Sequence, residues 1–130
     1  MELRLENKVS LVCAASEGLG KASAIELAKG GSTVAICSRS MEKLLMAKDD
    51  IHKKTGAEVK IFQADLTKHE QIIELHNQVS KKLGDIEVLV NNVGGPPPGT
   101  FETLKDEDWQ SAINLTMMSV LRMSKLVLPS

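Results

Sequence analysis

Short apolar runs alternate along this chain with longer segments in which apolar residues recur every three or four positions. The runs are rich in β-branched residues, which predicts four buried strands at residues 9–12, 33–37, 59–62 and 86–90. The longer segments between them predict three helices, each of which ends close to a glycine. Strands and helices that alternate in this order predict a parallel sheet with helices on both faces.

The helical period also predicts which side chains face the sheet. The predicted core positions are Leu19, Ala22, Ile25 and Ala28 in the first helix, Met41, Leu44, Ala47 and Ile51 in the second, and Ile72, Leu75, Val79 and Leu83 in the third. Ser40 is the predicted N-cap of the second helix. Thr67 and Glu70 form a capping-box pattern, which predicts that Thr67 caps the third helix.

A longer helix follows the loop at residues 94–99, G-G-P-P-P-G, which can continue neither a strand nor a helix. Thr103 and Asp106 form a second capping-box pattern. The predicted apolar stripe consists of Trp109, Ile113, Met117, Val120 and Val127. Further apolar residues lie off this stripe, so the helix from about Thr103 to Leu128 needs cover beyond the sheet. We therefore expect either a homo-oligomer that meets through this helix or additional chain.

Right-handed crossovers limit the topology of such a chain to a few arrangements. The doubly wound α/β arrangement puts the four strands in the spatial order 3-2-1-4. Its ligand crevice lies beyond the carboxyl ends of strands 1 and 4, where the winding reverses. Residues 1–130 are predicted to form a single domain of this kind.

The turn after the first strand has the composition of a phosphate-binding site. Residues 13–20 read C-A-A-S-E-G-L-G and lead directly into a helix. A strand, a turn of small residues and a helix N-terminus aim backbone N–H groups and the positive end of the helix dipole at one point, which suits a phosphate. An ordinary turn with glycines for packing is the alternative.

Charge and leader patterns restrict the partners. Sixteen Lys and Arg residues against seventeen Asp and Glu residues give a net charge of −1 without a basic stripe, so nucleic acid is not an expected partner. The N-terminus M-E-L-R-L-E-N-K lacks the apolar core of a signal peptide, and Arg122 and Lys125 interrupt the apolar stretch at 113–128. We therefore expect a cytoplasmic protein with no membrane span.

The cysteines and histidines do not predict a metal site. Cys13 and Cys37 stand near the ends of neighbouring predicted strands, so their sulfur atoms are expected to lie close together as reduced, buried thiols. His52, His69 and His76 share no spacing typical of metal ligands.

Residues 13–20 resemble the T-G-x-x-x-G-x-G turn of the short-chain dehydrogenase/reductase family, with Cys13 for the threonine and Ala14 for the first glycine. The resemblance spans essentially the whole chain and implies a Rossmann-like fold. The residues of the turn that it assigns to cofactor binding are Ala14, Ser16, Glu17, Gly18, Leu19 and Gly20. Alanine suits its position if its φ is negative, and its methyl group takes space where the family lets backbone approach the cofactor.

Two further motifs match the family after the third and fourth strands. Asp65 resembles the aspartate that accepts a hydrogen bond from the adenine amino group, and Leu66 would pack on the ring; a turn aspartate is the alternative. The second motif resembles the N-N-A-G sequence that steadies the sheet and lines the cofactor, and consists of Asn91, Asn92, Val93 and Gly94. Two turn-forming asparagines are the alternative here.

Asn114, in I-N-L on the long helix, matches the active-site asparagine of the family. In relatives, a local kink at this asparagine lets the backbone hold a water that links the catalytic lysine to bulk solvent. An asparagine on the solvent side of a helix is the alternative.

The end of the second strand bears on the choice of cofactor. Ser38 and Arg39 stand where an acidic residue would bind the ribose 2′-hydroxyl of NAD. A guanidinium can instead pair with a phosphate through two hydrogen bonds, so NADP is the predicted cofactor and NAD the alternative. Glu17 favours NAD, because a carboxylate near the 2′-phosphate would repel it and many NADP-using relatives carry a basic residue around that position.

The chain contains no tyrosine. The family transfers hydride with a Tyr-x-x-x-Lys pair assisted by a serine. The resemblance therefore implies an N-terminal, cofactor-binding part of an NADP(H)-dependent oxidoreductase that interconverts a small-molecule carbonyl and an alcohol, silent in catalysis by itself. The loop at 94–99 resembles stretches of 3-oxoacyl-carrier-protein reductases and sugar dehydrogenases. A non-catalytic dinucleotide-binding sensor or regulatory module, or a structural α/β domain, are the alternatives.

Overall fold

A computed structural model describes residues 3–95 and 98–129 of the chain. Its four parallel strands are β1 (Val9–Val12), β2 (Thr33–Ser38), β3 (Lys60–Gln63) and β4 (Ile86–Val90). They lie in the order β3-β2-β1-β4, which confirms the doubly wound prediction. Two prolines of the loop that the sequence predicts to be stiff, Pro96 and Pro97, fall outside the described residues.

The helices are α1 (Gly18–Lys29), α2 (Met41–Thr55), α3 (His69–Leu83), α4 (Asp106–Ile113) and α5 (Ser119–Val127). A π-helical segment, Asn114–Met118, joins the last two. The predicted cap of α2 is confirmed, because the hydroxyl of Ser40 accepts a hydrogen bond from the backbone N–H of Lys43 at 3.2 Å. Gly56 ends that helix in the left-handed conformation, with a φ of 75°.

The sheet is covered on both faces, which explains its continuous apolar strands. One face packs on α3 and α5, and the other packs on α1 and α2. Leu11 belongs to the first of these clusters and Val12 to the second, as the alternation of side chains along a strand requires. The core predicted for α3 is confirmed, with Ile72, Leu75 and Val79 buried.

The predicted core face of α1 is partly wrong. Leu19 is 82% exposed and Ala22 is exposed, whereas the buried residues of α1 are Gly20, Ala24 and Ala28. The helix packs so closely on the preceding turn that a Cβ atom at Gly20 would clash with the carbonyl oxygen of Ala14. Small residues therefore form this face, and the large side chain at Leu19 turns away from the core.

Met41 is also more exposed than predicted, at 38%. It is the first residue of α2 and lies beside Ile61 and Phe62, at the groove along the edge strand β3. No further strand covers β3 in the part of the chain that the structure describes. The remaining predicted core of α2, which comprises Leu44, Ala47 and Ile51, is buried as expected.

The capping role predicted for Thr67 is wrong. Helix α3 begins at His69 with Lys68 at its N-cap, and no side chain caps it. The hydroxyl of Thr67 instead donates a hydrogen bond of 2.6 Å to Oδ1 of Asp65, so it is already engaged in the turn. The backbone N–H of Lys68 also donates to the carbonyl oxygen of Asp65 at 3.1 Å, so residues 65–68 form a turn and the helix begins after it.

The second predicted cap is wrong for a similar reason. The hydroxyl of Thr103 donates to the carbonyl oxygen of Thr100 at 3.2 Å and belongs to a preceding turn. Helix α4 begins two residues later than that pattern predicts, with Lys105 at its N-cap. The carboxylate of Asp108 accepts a hydrogen bond of 2.9 Å from the backbone N–H of Lys105.

The apolar stripe predicted for the long helix is only partly correct, because Val120 is half-buried and Val127 packs against the core. The fully buried residues of this helical region are Ser119 and Met123 of α5. The stripe residues Trp109, Ile113 and Met117 are 45%, 39% and 53% exposed. A π turn inserts an extra residue, which rotates the two halves by about 100° relative to one uninterrupted α-helix. The predicted stripe is thus wrong before and within the π-helical segment, whereas beyond this segment Val127 packs against the core.

Candidate functional site

The site is formed at the carboxyl edge of the sheet by the turns that follow all four strands. The turn after β1 is tied to both neighbouring strands, because Cys13 N–H donates to Val90 O and Ala15 N–H donates to Cys37 O, each at 3.1 Å. The side-chain amide of Asn92 then donates to the carbonyl oxygen of Ala14 at 3.2 Å. Residues 78 positions apart are thereby held together where the winding of the sheet reverses.

Ala14 has a φ of 49°, in the left-handed region, so the negative φ that would suit alanine at this position is not observed. The hydrogen bonds on either side of it direct the backbone of the turn towards β2 and β4. Glycine adopts this conformation without a steric penalty, whereas the Cβ atom of alanine costs about 1–2 kcal/mol there. The turn keeps its shape at this residue in spite of that cost.

A cleft of about 420 Å³ opens above this edge of the sheet. It brings together the following residues that the sequence predicts to bind a cofactor: Ala14, Ser16, Glu17, Leu19, Ser38, Arg39, Asp65, Leu66, Asn92, Val93 and Gly94. They come from the turns after β1, β2, β3 and β4, so segments scattered over 80 positions of sequence share one concave surface.

Four of the predicted residues do not line the cleft. Gly18 starts α1, and Gly20 is buried between Ala14 and Asn92. Asn91 turns towards α5, where its amide Nδ2 donates a hydrogen bond of 3.1 Å to the hydroxyl of Ser124. Asn114 is half-buried at the start of the π-helical segment, and its neighbour Leu115 lines the cleft instead.

The sequence interpretation missed five lining residues, namely Ser40, Lys43, Ala64, Gly95 and Leu115. For two of them a signal was available. Ser40 is the cap of α2 and Lys43 lies on its first turn, four positions after Arg39, so a helix that starts at Met41 brings both near the end of β2. The ammonium Nζ of Lys43 lies 3.4 Å from Oε1 of Glu17 across the cleft.

Asp65 is held in one orientation by its own turn. Its Oδ1 accepts hydrogen bonds from the backbone N–H of Thr67 at 3.0 Å and from the Thr67 hydroxyl at 2.6 Å. Partial burial by itself would raise the pKa of Asp65. The hydrogen bonds from Thr67 and the positive charges of Arg39 and Lys68 outweigh burial and hold that pKa below its usual value. The carboxyl group is therefore ionised at neutral pH.

The thiols of Cys13 and Cys37 are free and buried beneath the cleft, as predicted. Both belong to the cluster on the α3 side of the sheet. The hydrogen bond between the two thiols, together with burial, raises the pKa of Cys13 well above its usual value. Cys13 is therefore an unreactive thiol at neutral pH.

Two structural features restrict other kinds of site. Within the described residues, no cluster of three or more His, Cys, Asp or Glu side chains could hold a metal ion. No helix in residues 3–95 and 98–129 combines the length and the apolar character needed to cross a bilayer.

Comparison with known proteins gives consistent matches. A sequence-family model described as short chain dehydrogenase matches residues 8–130. The 17-beta-hydroxysteroid dehydrogenase type 3 of Homo sapiens is 39% identical over 131 aligned positions, which cover 97% of this chain and 41% of that protein. The 3-oxoacyl-acyl-carrier-protein reductase of Thermotoga maritima is 34% identical, over 98% of this chain and 51% of its own length.

Nearly the whole of this chain superposes on about half of a solved oxidoreductase. The crystal structure of L-sorbose reductase from Gluconobacter frateurii, complexed with NADPH and L-sorbose, superposes with a TM-score of 0.92 at 27% identity. The superposition covers 99% of this chain and 49% of that chain. The chain thus spans about half the length, or less, of the proteins it matches.

Proposed function

The chain belongs to the short-chain dehydrogenase family, and on that premise we propose that it is the cofactor-binding domain of an NADP(H)-dependent oxidoreductase. The reaction is the interconversion of a small-molecule carbonyl and an alcohol. The observation that carries this proposal is the single cleft formed by the turns after all four strands. When bound, NADP(H) supplies or accepts a hydride at its nicotinamide ring. The 130 residues contain no tyrosine, so this chain by itself binds the cofactor without turnover.

The start of α1 fits the pyrophosphate of a dinucleotide. The first N–H groups of a helix have no intrahelical partners. Glu17 stands at the N-cap of α1 and makes no side-chain hydrogen bond to the helix, and the first turn contains no acidic residue. The N–H groups of this turn, from Gly18 to Gly20, are therefore left for an anion, and the helix dipole favours one there.

The other end of the cleft fits the adenosine. Oδ1 of Asp65 takes both hydrogen bonds from Thr67, so Oδ2 is the oxygen that accepts from the adenine amino group. Leu66 is 8% exposed and offers an apolar surface for the ring. Arg39 lines the same end and pairs with the 2′-phosphate, which distinguishes NADP from NAD.

The nicotinamide end is assigned to Asn92, Val93 and Gly94, which follow β4 and line the cleft. Asn114 is the active-site asparagine of this proposal. Its location supports the assignment, because the π-helical segment begins at this residue, where the family resemblance implies a local kink. Such π turns occur frequently at functional sites.

The role of Arg39 is tested by titrating the purified 130-residue chain with NADPH and NADH. We expect Arg39→Asp to weaken NADPH binding at least tenfold more than NADH binding, because the change removes a cation and adds an anion. Arg4→Asp is the control, since it makes the same charge change before β1, at the opposite edge of the sheet. Equal losses for both cofactors would show that Arg39 does not read the 2′ position. Failure of the unaltered chain to bind either one would contradict the proposal itself.

A non-catalytic dinucleotide-binding sensor is the second candidate, because it would use the same cleft. Both candidates bind the cofactor, so binding alone cannot separate them. The coding sequence that follows residue 130 separates them: a serine and then Tyr-x-x-x-Lys supports the enzyme, and their absence supports the sensor. In either case a 130-residue chain that reduces or oxidises a substrate with NADP(H) would contradict the assignment of this chain as silent.

We also propose a contact between copies of the chain through the last helical region. Its exposed apolar side chains are Trp109, Ile113, Met117, Leu121 and Leu128. Leu121→Glu is expected to lower the oligomeric state in light scattering, because it puts a charge into an apolar contact. Leu45→Glu is the matched control on α2, since Leu45 is 54% exposed and Leu121 55%. An unchanged state in both variants, or a monomeric parent chain, would contradict this contact.

A further inference from the structure

We propose that Lys43 is a second residue that selects NADP over NAD, and that its ion pair with Glu17 removes the repulsion which this carboxylate would otherwise exert on the 2′-phosphate. The inference rests on the proposed dinucleotide site. It assigns a role to a residue on the first turn of α2 that the family motifs do not mark.

The charged side chains of the cleft balance one another. Its charged lining residues are Glu17, Arg39, Lys43 and Asp65, two of each sign. Asp65 belongs to the adenine end, where its turn holds it. Arg39 also lines the end that contains Asp65, and its charge acts on that carboxyl, so all four charges count. They sum to zero, and without Lys43 the lining is net negative and opposes a phosphate.

Lys43 is positioned at the ribose end of the cleft by the first turn of α2. Its backbone N–H donates to the hydroxyl of Ser40 at 3.2 Å, so the residue is anchored in the capped first turn of α2. Its side chain crosses to Glu17, where Nζ and Oε1 lie 3.4 Å apart. Both residues line the cleft together with Arg39 and Ser40. The ammonium is thus held at the ribose end by a fixed backbone and a flexible stem.

The ion pair between Lys43 and Glu17 is weak because both side chains are exposed. The side chains of Lys43 and Glu17 are 58% and 74% exposed. Exposed pairs of long side chains contribute little to stability, because solvent screens them and ordering them costs entropy. The ammonium can therefore leave Glu17 for a phosphate with two negative charges at small cost. The ion pair keeps the ammonium of Lys43 near the cleft, where it remains available to bind a phosphate.

The ion pair with Lys43 changes the effect of Glu17 on the cofactor. As an isolated carboxylate it would oppose NADP, but as the partner of Lys43 it carries little net repulsion. Its residual effect is competition with the phosphate for the ammonium. Removing the carboxylate should therefore favour NADP, and removing the lysine should make the carboxylate harmful.

The test is a double-mutant cycle on the 130-residue chain. The measured quantities are the dissociation constants for NADPH and NADH. Lys43→Met keeps the stem and removes the charge, and Glu17→Gln keeps the size of the side chain. We expect Lys43→Met to weaken NADPH about tenfold and NADH less than twofold. Glu17→Gln should tighten NADPH severalfold and leave NADH unchanged. In the Lys43→Met background the gain from Glu17→Gln should be larger, because the carboxylate is then unpaired.

Two controls make the outcome specific. Lys53→Met removes the lysine of another exposed ion pair of α2, Lys53–Asp49, which does not line the cleft, and should leave both constants unchanged. Binding of 2′,5′-ADP against 5′-AMP reads the phosphate without the nicotinamide, and should show the same selectivity change. Thermal unfolding of each variant confirms that it folds.

Equal effects of Lys43→Met on NADPH and NADH, or strictly additive effects in the cycle, would overturn the role of Lys43 while leaving the dinucleotide site intact. A parent chain that binds neither cofactor would instead overturn the proposed function, and this inference with it.

Discussion

Gly20 and Asn92 lie so close together that a Cβ atom at Gly20 would be 2.8 Å from Nδ2 of Asn92. The same amide donates to the carbonyl oxygen of Ala14, which the added Cβ atom would also meet. The glycine of α1, the asparagine after β4 and the turn after β1 therefore form one tightly packed unit. This unit fixes the floor of the cleft.

Gly20→Ala tests this packing. An alanine inside a helix normally stabilises it by about 0.5–1 kcal/mol relative to glycine. Here we expect the free energy of unfolding in urea to fall by about 1–3 kcal/mol, because the methyl group overpacks the site. Glu26→Ala, on the exposed side of the same helix, is the control and should change stability by less than about 0.5 kcal/mol. A stabilised Gly20→Ala variant would show that the helix can move away without penalty.

Ala14→Gly should have the opposite effect. A left-handed φ of 49° penalises alanine by about 1–2 kcal/mol, and the added freedom of glycine in the unfolded chain offsets about 0.5–1 kcal/mol. We therefore expect a net stabilisation of up to about 1 kcal/mol, measured by denaturant unfolding. The neighbouring Ala15 is fully buried and has no left-handed φ, so Ala15→Gly should destabilise the protein. Losses in both variants would mean that the strain at Ala14 is relieved elsewhere.

Thr67→Val tests the hydrogen bonds that hold Asp65. The pKa of Asp65 lies below its usual value, so its carboxylate stabilises the fold above about pH 4, and this contribution is lost as the pH falls towards the folded-state pKa. Removing the Thr67 hydroxyl should raise that pKa and lower stability at pH 7 by about 1 kcal/mol. In acid, where Asp65 is protonated in both proteins, most of the difference should vanish.

Urea unfolding at several pH values measures this effect. Thr55→Val is the matched control, because the hydroxyl of Thr55 donates to the neutral carbonyl oxygen of Ile51 at 2.7 Å. Its cost should not depend on pH in this range. A Thr67→Val loss of the same size at pH 7 and in acid would mean that Thr67 acts through packing rather than through the carboxylate.

The buried thiols predict slow labelling. Cys13 is 2% exposed and Cys37 is fully buried, and they are the two cysteines of the chain. We expect an aromatic disulfide reagent to react with neither in the native protein, and with both after urea is added. Ser111→Cys adds a thiol at an exposed position of α4 and should react at once. Rapid modification of one native thiol in the parent chain would show that the floor of the cleft opens without unfolding.

Much of the fold follows from local pattern. The four short apolar runs became the four strands, and the glycine stops and the Ser40 cap set the bounds of α2 correctly. These features are decided by residues within a few positions of each other, through periodicity and capping. The family motifs then located most of the cleft, because turns at the ends of parallel strands have to meet at one edge.

The errors have a different origin. Leu19 is exposed because Gly20 brings α1 against the turn after β1 and against Asn92, which lies far away in the sequence. Thr67 is not the cap of α3 because it belongs to the turn at residues 65–68, after which the helix begins. The stripe of the last helix is wrong in its first half, since α4 contains no buried residue. In each case the surroundings of the residue in the folded chain, and not its local sequence pattern, decide its exposure or its hydrogen bonds.

The sequence by itself determined the alternation of strands and helices, and with it the strand order and the edge at which the cleft lies, because hydrophobic periodicity and chain handedness permit few other arrangements. Only the tertiary structure decided the left-handed φ of Ala14, the phase of the last helix and the meeting of Lys43 with Glu17. These depend on distances between side chains and backbone groups that lie far apart in the chain, and packing in three dimensions sets such distances.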